Sequence, residues 1–231
     1  MSGDRLQRIL AELSVTGADP LSSARLCQVA PDIVGVDGAG VMLMSGDIPR
    51  GSLCTTDDVS HLIEDLQYTL GEGPCVDAYQ GDRVVAEPHL AEPAVPRWSA
   101  FSPPALAAGV GAVFGFPLRV GTVRLGALNL YRRVPGSLSD DQHADALVLA
   151  DVMARWVLEA QAGAAPDDVA QALEVSADFH FSVHNAAGVI SAQLGISVTE
   201  ALIRLRAYAF GHDLPLADVA EDILSRRLRI E

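Results

Sequence analysis

The spacing of apolar and polar positions divides the chain into a mixed first part and a purely helical last part. Leu6, Ile9, Leu10 and Leu13 recur at helical spacing, so residues 4–13 read as a short amphipathic helix. "LSSARLCQVAPDIVG" reads as a second helix that ends near Pro31, whose ring removes a backbone donor. Strand patterns follow in "GAGVMLMSGD" and "LCTTDD", and "VSHLIEDLQYTL" is a helix. A loop-rich stretch then runs through Pro88, Pro93 and Pro96. "VGAVFGFPLRVGTVRLGALNLYRR" reads as two strands joined by a turn near Gly121. "SLSDDQHADALVLADVMARWVLEAQ" is a long helix with Ser139 at its N-cap.

Gly163 and Pro166 interrupt this pattern, and no strand pattern follows them. Residues 167–194 read as one helix, which Gly195 ends in the left-handed cap position. "SVTE" is a capping box, with Ser197 at the N-cap and Glu200 three residues on. The helix after it carries Val198, Ala201, Leu202, Leu205 and Ala209 on one stripe, and Gly211 can stop it. Pro215 opens a third helix, whose stripe is Leu216, Val219, Ala220, Ile223 and Leu224. The order predicts an α+β protein. It has an N-terminal helix over 1–19, an antiparallel sheet with helices over 20–161, a linker at 162–166 and a three-helix bundle over 167–231.

Hydrophobic residues make up 49% of the 231, enough for a packed core. The formal charge of −14 repels phosphate at long range, so any nucleic-acid contact must be local. From 166 onward ten acidic residues stand against five arginines. Arg204 and Arg206 flank the Leu205 stripe and can project from its edges. Arg226, Arg227 and Arg229 suit the C-terminal end of a helix. Cys27, Cys54 and Cys75 show no CxxC pair; an odd count at wide spacing predicts neither a disulfide framework nor a zinc site, and a reducing cytoplasm is the expected setting. No apolar run reaches the length of a membrane span. No P-loop, GxSxG, HExxH or paired-carboxylate signature appears, so no catalytic residue, metal ligand or cofactor is assigned.

"HNAAGVISAQLGISVTEALIRLRAYAFGHDLPLADVAEDIL" resembles the ANTAR family, an RNA-binding three-helix module of bacterial transcription antitermination regulators. The match rests on Ala186-x-Gly188, Gly195-x-Ser197, Glu200-Ala201, Leu205-Arg206, Ala209 and Asp218-Val219-Ala220. Many members carry Gln, Lys and Met where this chain has Asn185, Ala187 and Ser191. The resemblance implies that hairpin RNA is the partner, with His184, Asn185, Arg204, Arg206, Tyr208 and His212 as the contact residues. Tyr208 can stack on an unpaired base, or sit half-buried in the bundle. His184 and His212 can donate to phosphate, or stand solvated. Ala186, Gly188, Ala201 and Leu205 are the packing positions; a glycine inside a helix costs about 1 kcal/mol against alanine, and a closely approaching neighbour would account for Gly188.

"GEGPC", "GDRV", Arg97-Trp98, "GVGAVFGFPL" and "LGALNLY" resemble a GAF sensor domain over residues 20–160. This implies a small-molecule pocket without saying which molecule fills it. Some GAF-like proteins reduce methionine sulfoxide, so Cys75 is either a reactive thiol, with Cys54 as its resolving partner, or a buried inert one. His61 and His89 are the histidines available to haem. The expected protein is a cytoplasmic regulator with a sensor and an RNA-binding module. It is expected to form a homodimer through Leu147, Met153, Val157, Ala160, Val169, Leu173 and Phe181. The alternatives are a signal-binding scaffold without RNA activity and a GAF-fold thiol reductase.

Overall fold

A computed structural model of the protein describes residues 2–15, 23–45, 48–163, 182–212 and 214–230. The chain divides into two compact units, Met1–Ala172 and Leu173–Glu231. The first holds α1 (Ser2–Val15), α2 (Ser23–Val34), β1 (Gly38–Ser45), β2 (Ile48–Thr55), α3 (Asp58–Leu70), α4 (Pro74–Gly81), β3 (Val85–Glu87), α5 (Ser102–Ala107), β4 (Ala112–Val120), β5 (Val123–Arg132) and α6 (Asp140–Gly163). The second holds α7 (Ser182–Leu194), α8 (Val198–Gly211) and α9 (Leu216–Leu224). The linker expected at 162–166 and the first part of the helix expected over 167–194 fall mostly outside the described residues.

The five strands form one sheet in the order β2-β1-β5-β4-β3, every neighbour antiparallel. β4 and β5 are the hairpin expected around Gly121, where φ is 59°. The ladder between β1 and β2 slips twice, and Pro49 lies in β2 opposite Met44. Gly115 of β4 abuts Pro74 of α4, whereas its neighbour Phe116 packs against His143 of α6 at 5.4 Å. Successive strand side chains point to opposite faces, so α4 and α6 cover opposite sides of the sheet. α3 joins α4 on its side, and α2 joins α6. The result is a three-layer α+β unit with its core on both faces of the sheet.

Three local expectations change. α2 does not end at Pro31 but continues to Val34. The ring removes one helical hydrogen bond, while burial of Ile33 and Val34 beyond it favours the continued turn. Gly35, at φ 73°, closes the helix by donating to Pro31 O at 2.7 Å. The loop-rich stretch contains β3, and helices α4 and α5 flank it. Cys27 of α2 and Cys54 of β2 form a disulfide across 27 residues, which overturns the expectation that the cysteines are unpaired. Two elements distant in sequence bring them together, so spacing along the chain carried no sign of it.

The long helix behaves as expected at its start. Gln142 N donates to Ser139 Oγ at 3.2 Å and Ser139 N donates to Gln142 Oε1 at 3.0 Å, a reciprocal cap. Its inward stripe is Ala146, Leu149, Ala150, Met153, Ala154 and Val157, all buried in this unit. Met153 and Val157 therefore serve the unit's own core rather than a seam with a second chain, and Leu147 is the exposed member of the expected set. Val169, Leu173 and Phe181 lie outside the described residues. No single helix among the described residues is long and apolar enough to cross a membrane.

In the second unit Gly195 takes the left-handed cap at φ 67°, and Ser197 Oγ accepts from Glu200 N at 3.1 Å. Val183, Ala186, Ala187 and Ile190 form the buried stripe of α7, and Ala201, Leu202, Leu205 and Ala209 that of α8. Leu216, Val219, Ala220 and Ile223 are the buried face of α9. Val198 and Leu224, counted on the stripes from the sequence, are exposed at the helix ends.

Candidate functional site

Helix α3 turns an unexpected face to the sheet. Ser60, Ile63, Glu64, Gln67 and Tyr68 are buried, although Glu64 and Gln67 are polar. Glu64 meets Asn129 of β5, and Gln67 Oε1 accepts from Cys75 N at 2.7 Å. Neither Glu64 oxygen, nor Gln67 Nε2, nor the Asn129 amide makes a hydrogen bond of good geometry. Such groups each cost about 1–3 kcal/mol when buried. The layer is tight: a methyl group on Gly40 would crowd Glu64, and one on Gly115 would collide with Pro74 O. Burial first, and Asp65 second, push the Glu64 carboxyl up to about 8, against a smaller pull from Asn129. Glu64 is therefore neutral at pH 7, which avoids burying an unpaired charge.

Cys75 lies in the same layer with no exposure. Burial, and then Glu64, raise its thiol well above the ordinary range, so little thiolate exists near neutrality. Cys54, the partner considered for it, is bonded to Cys27. Of the haem histidines, His61 sits exposed on α3 beside Asp65 at 3.2 Å, and His89 is exposed in the loop after β3. Among the described residues no three metal-binding side chains converge.

That loop builds an open site. Trp98 adopts φ 55°, a costly conformation for a bulky side chain. It is held there by Nε1 donating to Asp77 Oδ2 at 3.0 Å, by an edge-on contact with Phe101 and by the guanidinium of Arg97 lying 4.6 Å above its ring. Glu72 Oε1 accepts from the backbone nitrogens of Ala100 and Phe101 at 2.7 and 2.9 Å, fixing the loop's far end. Beside it lies a cleft of about 460 Å³, with Glu87 and Arg97 at the charged side and Pro88, Ala94 and Val95 at the apolar side. Glu87 sits at the end of β3, where the pleat buries it with Val85 and exposes Ala86. The motif resemblance contained Arg97-Trp98 and, within "GEGPC", Glu72; Glu87 and Asp77 carried no signal of their own, because their partners are 10 and 21 residues away.

The residues expected to meet RNA divide into two groups. Asn185 is exposed on α7. Arg204 is part-exposed and pairs with Glu200 at 3.4 Å, one turn away. Tyr208 stacks on His212 with ring centroids 4.0 Å apart, and His212 Nδ1 lies 2.8 Å from Tyr208 O. In contrast, His184 Nε2 and Arg206 Nε and Nη2 are turned inward and inaccessible. Arg206 is half-buried, with Nε and Nη2 inaccessible, rather than projecting wholly from the stripe's edge as its wheel position suggested. Gly188 also departs from expectation: it is exposed, off the buried stripe, and a methyl group there would meet no described atom within 4 Å. Among the described residues it meets no close neighbour, whereas Ala186, Ala201 and Leu205 are buried.

The first unit has a GAF-like fold. Its architecture resembles the GAF domain of the phosphoenolpyruvate-protein phosphotransferase from Acinetobacter, with a TM-score of 0.51, 15% identity, and 70% of this chain and 96% of that one covered. The GAF domain of the corresponding protein from Coxiella burnetii matches at a TM-score of 0.49 and 12% identity, covering 70% of this chain and 95% of that one. A type II free methionine-R-sulfoxide reductase from Thermoplasma acidophilum matches at 0.46 and 17%, covering 68% and 95%. At these identities the likeness is one of fold. No protein-family model matches the sequence, and neither does any curated protein.

Proposed function

We propose that the protein is a regulator in which the GAF-like unit senses a small molecule and the helical unit binds hairpin RNA to prevent transcription termination. One observation carries the RNA part. The ordered ANTAR-like motifs fall on a separate compact helical unit whose turn residues Gly195 and Ser197 adopt the caps the pattern requires, leaving Asn185, Arg204 and the Tyr208–His212 stack at its surface. Exposed Gly188 lies one turn from Asn185, on the open side of α7. No packing contact among the described residues offsets its helix cost, which supports close approach of an RNA backbone there. The ion pair of Arg204 with Glu200 is exposed and worth roughly 0.3–0.5 kcal/mol, little enough for phosphate to displace.

The test is a gel shift of the full chain with a paired-hairpin leader RNA. Binding is expected to weaken with salt, and Arg204→Ala should reduce the slope of log K against log salt by about one. Tyr208→Ala should weaken binding at all salt concentrations. Absence of binding, or binding insensitive to salt, favours the second reading: a signal-binding scaffold without RNA activity. The engagement of Arg204 by Glu200 and the inward turn of Arg206 speak for that reading. A thiol reductase finds less support, since Cys75 is buried as a thiol and Cys54 is already bonded.

A further inference from the structure

Glu87 is a carboxylate without adequate partners. Its side chain is 7% exposed, yet its two contacts are both long: Arg97 Nη2 at 3.4 Å on Oε2 and His89 N at 3.4 Å on Oε1. N–H···O bonds are ordinarily about 2.7–3.2 Å, and those to charged groups shorter still. A carboxylate that is nine-tenths buried calls for more than this. Arg97 is similarly underused. Nη2 spans Ala86 O and Glu87, its buried Nε has no partner, and Nη1 makes no hydrogen bond among the described residues. The two charges touch through one long contact rather than a bidentate clasp. Arg97 is fixed by its stack on Trp98, and Glu87 by the β3–β4 ladder, where it pairs with Val113. Both line one cleft of about 460 Å³, within the range of small-molecule sites. Glu92 stands with Ala94 and Val95 at its exposed wall.

We propose that this cleft binds a small apolar zwitterion, of the α-amino acid class. The ammonium group sits against Glu87, with Glu92 beside it; the carboxylate meets the uncommitted Nη1 of Arg97; and a short apolar body lies on Pro88, Ala94 and Val95. Such a ligand places a cation and an anion opposite the two underpartnered charges at once. An amine alone leaves Arg97 as it is, and a carboxylate alone approaches Glu87 with like charge. The inference rests on the sensor reading above, because it names the class of molecule that the GAF-like unit would sense.

Isothermal titration of the full chain with L-valine, L-leucine and L-methionine tests it, with isobutylamine and isovalerate as the two halves of valine. At least one amino acid is expected to bind saturably at one site, with isobutylamine and isovalerate each at least about tenfold weaker than valine. Glu87→Gln and Arg97→Gln should each weaken the amino acid by about tenfold or more. Val95→Asp, at a 64% exposed wall position that tolerates substitution, should weaken it with the fold unchanged by circular dichroism. This variant keeps the test decisive if the buried substitutions unfold. No binding by any of the three amino acids, or an amine as tight as valine, overturns the zwitterion. So does Val95→Asp leaving the affinity unchanged. A native mass spectrum of the purified chain separates the two levels: a retained molecule of another class, with the amino acids silent, ends this inference and leaves the sensor reading standing.

Discussion

Two residues sit where elementary preferences disfavour them. Gly188 occupies the middle of α7 with open space around it. Gly188→Ala is expected to raise the stability of the helical unit by about 1 kcal/mol, read as a higher melting temperature, because no described residue obstructs the added methyl. If an RNA backbone approaches there, the same variant loses hairpin affinity while gaining stability, a combination that simple packing does not produce. Glu64 is the second. Its carboxyl is raised to about 8 in the folded chain against an ordinary value of 4.5. The folded state therefore holds its proton more tightly than the unfolded one, so folding is favoured at low pH and loses stability as pH rises from about 4.5 through 8. Glu64→Gln should match the parent near pH 4 and become progressively more stable than it, reaching on the order of 5 kcal/mol above pH 8. Chemical denaturation across that range measures it; a difference that does not change with pH would show that the carboxyl titrates normally.

Elements were legible where their signals are local. Ser139, Gly195 and Ser197 announce helix ends within four residues of the groups they cap, and the hairpin around Gly121 joins two largely apolar runs. Ser197→Ala should cost about 1 kcal/mol for the same local reason, measurable by thermal melting. What was not legible depends on partners elsewhere in the chain. Helix α3 buries Glu64 and Gln67 while Leu62 and Leu66 are only half-buried, an arrangement no apolar periodicity signals. α5 and β3 are too short to show a period. Cys27 and Cys54 meet because α2 packs on β2. Closing that loop of 27 residues restricts the unfolded chain, so Cys27→Ser is expected to cost roughly 3.5 kcal/mol relative to the oxidised protein. Denaturant titration with and without reductant checks it: the parent and the variant should differ when oxidised and converge when reduced.

For the whole molecule the open question is assembly. We propose a homodimer through α6, now resting on Leu147, which is 45% exposed, since Met153 and Val157 are committed to the core. Leu147→Asp should convert the species seen by light scattering from twice the chain mass to the chain mass; a parent that is monomeric at high micromolar concentration removes the proposal. The two margins of the sheet limit how such an assembly is built. One margin is a strand of three residues, and the other bears a proline and falls out of step with its neighbour twice. Neither offers the long straight row of free amides and carbonyls that lets one chain add its strands to another's. Edge-to-edge stacking of copies into fibres is thereby disfavoured, and the proposed dimer would form through helical surfaces, which can part again.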